Sequence, residues 1–325
     1  MKRRDFISMA PGAAAAALAA PALAHAQQPA LPVIGFLGAT APAPELLAPF
    51  LEGLAKGGFN DGRNVAMQYR WAYGERERLP ALMADLLRQP VAVIVTYGGA
   101  APPRAALAAT RSVPIVFEAG LDPVLAGLVA SFNRPGGNAT GVYMLTRALS
   151  GKRLEMLHEM VPRATAIAVL IRTTDTTIEA EQRSAAATLG VQLHIARVDT
   201  ERDFDAAFAT LREKRIGALV VSSNPYFNSQ RARLVALATR YAMPTIFEWR
   251  EFTALGGLMS YGADLSGVMR ELGDYTAQVL KGSKPADMPI AQATRFELVI
   301  NRKTAKALGL VIPQALLVRA DEVID

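Results

Sequence analysis

The chain has 325 residues, 35 basic against 29 acidic, and no cysteine. The absence of cysteine excludes disulfides, thiolate zinc sites, cysteine nucleophiles and a lipid anchor on a cleavage-site cysteine. The net charge of +6 is modest and scattered, with no lysine/arginine run interleaved with aromatics, which argues against nucleic acid as a partner.

Residues 1–26 read as a cleavable export signal. Lys2, Arg3 and Arg4 form a basic start, Pro11–Ala24 is a weakly apolar run, and Ala24-His25-Ala26 gives the small-residue ending. The apolar run is too short and alanine-rich to span a bilayer, which needs roughly 20 strongly apolar residues. Arg3-Arg4-Asp5-Phe6-Ile7 resembles the twin-arginine export motif, an ordinary Sec signal being the alternative. The expectation is cleavage after Ala26 and a freely diffusing, monomeric periplasmic protein of about 300 residues, enough for two lobes of about 150 each.

From residue 31 onward, short apolar runs rich in β-branched residues alternate with alanine/leucine-rich helical patterns. The strand candidates are 31–38, 64–71, 91–98, 113–120 and 139–145, then, beyond a helix over Ser150–Pro162, 166–172, 191–198, 218–223, 244–249 and 257–262. Near-continuous apolar strands covered by helices imply parallel α/β sheets. Ten strands in two series predict two five-stranded sheets, in Rossmann-like lobes spanning 27–150 and 151–262. Residues 263–325 add a helix, a strand-like run FELVIN (296–301) that crosses back between the lobes, and a tail of short elements, one stopping at Gly309 and one starting at Pro313.

The junctions that follow the strands carry more functional information. Gly98-Gly99 precede an alanine-rich helix; Asp122-Pro123 and Asn224-Pro225 each predict a capped helix start with proline at its first position; Asp264 predicts another cap. Helix starts gathered at the carboxyl ends of strands mark the edge where open α/β sheets bind ligands and where free N–H groups favour anions.

Familiar catalytic patterns are missing. There is no G-x-S-x-G elbow, P-loop, G-x-G-x-x-G or H-E-x-x-H, and "RPGGNATG" (134–141) precedes a strand, as a tight turn does. His158 reads as a solvated helix position and His194 as half-buried in a strand, so no catalytic residue, metal site or cofactor is predicted and binding is favoured over catalysis. The ligand candidates in the first lobe are Thr40, Tyr97, Gly98, Gly99, Ala100, Asp122, Pro123 and Tyr143; those in the second are Thr173, Asp175, Asn224, Glu248 and Tyr261. In this reading the N–H groups of Gly99 and Ala100 receive a carboxylate. The tyrosines pack on an aromatic or aliphatic body, and Asp175 or Glu248 meets an ammonium.

Four stretches resemble the solute-binding components of ATP-binding-cassette uptake systems, in the branch that includes tryptophan/tyrosine-type binding proteins. They are "DGRNVAMQYRWAYGERERLPALMADL", "PIVFEAGLDPVLAGLVASFNRPGGNATGV", "EWREFTALGGLMSYGADL" and "KPADMPIAQATRFELVINRKTAKALGLVIPQALLVRADEVI". The resemblance implies a type I periplasmic-binding-protein fold with a multi-strand hinge and closure around a small solute; the leading reading is a receptor that closes over a small carboxylate-bearing solute, aromatic or branched amino-acid-like, and delivers it to a membrane permease. Tyr97 in "VTYGG" and Glu118 in "FEAGLDP" depart from the residues usual in that branch. Two rivals stand beside this reading: an exported α/β hydrolase or isomerase using Asp122, Asp175 or Glu248, and a sensor module that signals to a receptor.

Overall fold

The computed structural model describes residues 31–40, 44–173 and 175–325; the expected export signal and its cleavage point lie outside the described residues. Leu31–Asp325 forms one compact unit. Its elements run β1 (Val33–Gly38), α1 (Pro44–Lys56), β2 (Ala66–Trp71), α2 (Leu79–Leu86), β3 (Val91–Tyr97), α3 (Ala101–Ala109), β4 (Ile115–Ala119) and β5 (Ala139–Tyr143). There follow α4 (Ser150–Met160), β6 (Ala166–Ile171), α5 (Thr176–Leu189), β7 (Gln192–Arg197), α6 (Glu201–Glu213), β8 (Ala218–Val221), α7 (Pro225–Ser229), α8 (Arg231–Arg240), β9 (Thr245–Phe247), α9 (Arg250–Ala254) and β10 (Met259–Ala263). The last part is α10 (Leu265–Leu280), β11 (Ala291–Gln292), β12 (Phe296–Asn301), α11 (Arg302–Ala307), α12 (Gln314–Arg319) and β13 (Glu322–Ile324).

Each of the ten strand candidates in the two series forms a strand, as does FELVIN, but the expected five-plus-five partition gives way to six and seven. The first sheet has the order β11-β5-β4-β3-β1-β2 and the second β13-β12-β10-β9-β8-β6-β7. The additional strands come from the tail: β11 pairs with β5, while β12 runs antiparallel to β10 and carries β13 on its far side. All other strand pairs are parallel. Central strands such as β3 (VAVIVTY) and β4 (IVFEA) are buried almost throughout, as parallel strands sandwiched between helices must be.

Among the described residues the chain crosses between the sheets at three places: after β5, after β10 and between β11 and β12. The second crossing returns α10 to the first sheet, where it packs along α1. That packing needs two glycines. A Cβ on Gly273 would sit 2.1 Å from the Phe50 carbonyl oxygen, and one on Gly53 would sit 2.0 Å from that of Arg270, so the helix backbones touch where side chains normally intervene. Asp264 caps α10 by accepting from the Gly267 N–H at 2.9 Å, as its sequence position predicts. The crossings are tied to one another: the Ala293 N–H donates to the Tyr143 carbonyl and the Asp264 N–H to that of Arg295.

Candidate functional site

The carboxyl ends of the two sheets face one another across a cavity of about 570 Å³. The first sheet supplies Thr40 beyond β1, Tyr97–Ala100 at the end of β3, Glu118 on β4, and Met144 and Thr146 beyond β5. From the second come Arg172 beyond β6, Ser222–Asn224 beyond β8, and Glu248 and Trp249 beyond β9. The lobes meet over this space, since a Cβ built on Gly99 would lie 3.4 Å from Cγ of Pro225.

Among the described residues, three buried acidic or basic side chains line the cavity: Glu118, Arg153 and Glu248, with exposures of 1%, 1% and 7%. Oε1 of Glu118 accepts from the N–H groups of Gly98 (2.5 Å) and Gly99 (3.0 Å). Both glycines adopt positive φ, +92° and +87°, which lets consecutive N–H groups converge on one oxygen. The Gly99 N–H assigned in the sequence to a ligand carboxylate is therefore held by the chain's own Glu118. Burial pushes the Glu118 carboxyl above the usual range, against the pull of the two N–H groups.

Arg153 links Thr146, beyond β5 of the first sheet, to two parts of the second lobe's edge. Its Nη1 donates to the Tyr261 carbonyl (3.2 Å), and its Nη2 donates to the Thr146 carbonyl (3.0 Å) and to Oγ of Ser223 (2.9 Å). Glu248 lies beside it. Burial pushes the Glu248 carboxyl up to about 7, the charge of Arg153 opposes this, and Glu118 adds to it. One oxygen of each carboxyl, Oε2 of Glu118 and Oε1 of Glu248, is buried without a hydrogen-bond partner among the described residues, as is Nε of Arg153.

A carboxyl whose pKa is raised by folding contributes stability below its unfolded pKa, near 4.5, and that contribution is lost as pH rises through the folded value, about 7. Thermal denaturation of the empty protein should thus show stability falling from pH 5 to pH 8. The Glu248→Gln variant should show a slope shallower by roughly 2–3 kcal/mol over that window. Parallel curves for the two proteins would refute the assignment.

Of the sequence candidates, Thr40, Tyr97, Gly98, Gly99, Ala100, Asp175, Asn224 and Glu248 line the cavity. Asn224 caps α7 through the Tyr226 N–H (2.9 Å) and donates from Nδ2 to Asp175 (2.9 Å), binding the two residues to each other. The other five lie elsewhere. Asp122 accepts from the N–H groups of Val124 (2.8 Å) and Leu125 (3.0 Å), but these cap a run of turns, so no helix begins at Pro123 as expected. Tyr143 packs against Phe132 with ring centres 5.8 Å apart and planes tilted by 50° in the first lobe's apolar cluster, and its successor Met144 reaches the cavity instead. Thr173 is exposed, with its N–H donated to Asp199 (3.1 Å). Tyr261 packs on the second lobe's core and offers Arg153 only its backbone carbonyl.

Arg153, Trp249 and Tyr226 line the cavity and were missed as candidates. Arg153 was legible in one respect: with Ser150, Leu154 and Leu157 it occupies the helical spacing of α4's buried face. A charge on that stripe signals a buried partner. Glu118 carries the same signal within the apolar run of β4.

Two open, mainly parallel sheets joined by three crossings, with one cavity between their carboxyl edges, define a type I periplasmic-binding-protein fold. The family model for ABC transporter substrate binding protein matches residues 44–324, and the chain belongs to that family. A curated relative, the tyrosine-binding protein of Clostridioides difficile, is 26% identical over 266 residues, covering 80% of this chain and 75% of that protein. Among solved structures, a conserved domain protein from Vibrio cholerae superposes with a TM-score of 0.82 at 25% identity, covering 90% of this chain and 99% of the other. The ABC domain of a Streptococcus pneumonia protein in complex with L-Trp gives 0.81 at 25% identity, covering 90% and 100%. Like these relatives, the chain is a substrate-binding component of an ABC transporter, and among its described residues no helix is long and apolar enough to cross a membrane.

Proposed function

We propose that this receptor closes in the periplasm over one small amino-acid-like zwitterion with an aromatic or branched body, and hands it as a monomer to a membrane permease. The distribution of charge along the cavity carries the reading. Carboxyls lie buried within it, whereas Arg76 and Arg104 line it as exposed residues, and Arg76 has no ion pair among the described residues. Tyr97, Tyr226 and Trp249 supply walls for an apolar body. A molecule with an ammonium at one end and a carboxylate at the other matches that polarity, and the ligands named for the two relatives, tyrosine and L-Trp, have this form.

In this proposal the lobes are 27–150 and 151–262, and the three crossings act as the hinge. Ligand contacts to both lobes stabilise the closed state, and the permease reads closure. A thermal-shift screen of amino acids and small organic acids tests it. A solute at about 100 times its dissociation constant adds roughly 2.7 kcal/mol, so L-tyrosine, L-tryptophan or a close analogue should raise Tm by several degrees. A screen with no shift from any amino acid would count against the ligand class.

A further inference from the structure

The buried end of the cavity holds more negative charge than the protein neutralises. Glu118 projects from β4 of the first lobe and Glu248 follows β9 of the second, so the pair spans the closure. The ionisable groups around them are Tyr97 on β3, Tyr261 on β10, Arg153 on α4, and Arg231 and Glu251 on α8 and α9. Arg231 and Glu251 bring one charge of each sign. Arg153 acts on Glu248, whereas Glu118 is met by two backbone N–H groups and no cation. Both carboxyls keep one buried oxygen without a partner. Such an oxygen is satisfied by a proton on its carboxyl, by water in the cavity, or by a donor that arrives with the ligand.

We propose that Glu118 and Glu248 are a two-carboxyl acceptor for one protonated nitrogen of the ligand, with Oε2 of Glu118 and Oε1 of Glu248 each taking an N–H, so that the cation itself latches the two lobes. The empty pair holds a proton. When the ammonium enters, that proton leaves to the solvent as the two N–H···O contacts form, and no covalent bond changes. The site therefore selects amines over otherwise identical acids, and binding tightens with rising pH. The raised pKa values of both carboxyls fit this exchange. This inference rests on the amino-acid reading above.

The test is calorimetry on the full mature protein with four probes: L-tyrosine, L-tryptophan, 3-(4-hydroxyphenyl)propanoate and 3-(indol-3-yl)propanoate. Titrations at pH 6.5 and pH 8 in buffers of different ionisation enthalpy count the protons exchanged. The expected result is at least a hundredfold preference for an amino acid over its deaminated counterpart, with proton release at pH 6.5 that shrinks at pH 8. Glu118→Gln keeps an oxygen for the Gly98 and Gly99 N–H groups, so it should fold with an undiminished Tm while binding the amine at least tenfold more weakly and releasing fewer protons. Equal affinity for amine and deaminated probes, or unchanged binding and proton count in E118Q, overturns the latch and leaves the amino-acid reading standing. Failure of all four probes to bind, with L-leucine and L-valine also failing, overturns that reading and the latch with it.

Discussion

Replacing Arg153 with alanine lowers the free energy of unfolding by about 3–5 kcal/mol at pH 7.5, because it removes both a buried donor of three hydrogen bonds and the cation whose charge acts on buried Glu248. The guanidinium holds the Tyr261 and Thr146 carbonyls and Oγ of Ser223. Without it those acceptors lose a donor and Glu248 is left buried with no cation. The deficit should shrink at pH 5, because Glu248, already pushed up to about 7, can then be protonated. Urea unfolding at both pH values measures this. The double variant Arg153→Met with Glu248→Gln removes both charges and should recover a large part of the loss. A deficit that is the same at pH 5 and pH 7.5 would mean that Arg153 acts through packing alone.

Gly273→Ala is the second substitution with a large expected effect, and here two principles predict opposite signs. Alanine in the interior of α10 should gain about 1 kcal/mol from helix propensity. Its Cβ, however, would lie 2.1 Å from the Phe50 carbonyl oxygen on α1. A contact with backbone cannot be relieved by rotating a side chain, so one helix must move by more than an ångström in a packed core. We expect the clash to win, with a net loss of about 3 kcal/mol. α10 is the segment that carries the chain back from β10 to the first lobe, so its displacement should also weaken ligand binding. Greater stability in urea for Gly273→Ala than for wild type would show that the two helices are not in backbone contact.

The strands were legible because burial on both faces writes them as continuous apolar runs, and that signal is local. The partition into six and seven was not, since β11 has two residues and β13 three, too short to carry any period. β12 was visible as a strand, but its antiparallel seat beside β10 is a tertiary fact. Helix caps were readable at Asn224 and Asp264, where a side-chain oxygen and the following residues settle the geometry within one turn. Asp122-Pro123 shows the limit: the same dipeptide logic produced a capped turn, because the chain beyond it makes turns and not an α-helix.

The cavity's glycines and Glu248 could be placed from strand ends alone. The pairing of Glu118 with the Gly98 and Gly99 N–H groups could not, because it joins neighbouring strands whose order the sequence does not state. Arg153 was hidden by its position on a helix that looks like a connector. In both cases the readable sign was a charge standing in an apolar pattern, which fold-level reasoning treats as noise and which marks the site.

The central claim is that this chain receives one small zwitterion between its lobes. Native mass spectrometry of the purified receptor, incubated with an equimolar pool of the common amino acids, tests it most directly. The account predicts a single adduct per chain whose mass is that of an aromatic or branched amino acid, released intact on denaturation. A bare chain at every pool concentration, or a pool whose components are chemically converted by the protein, would contradict it.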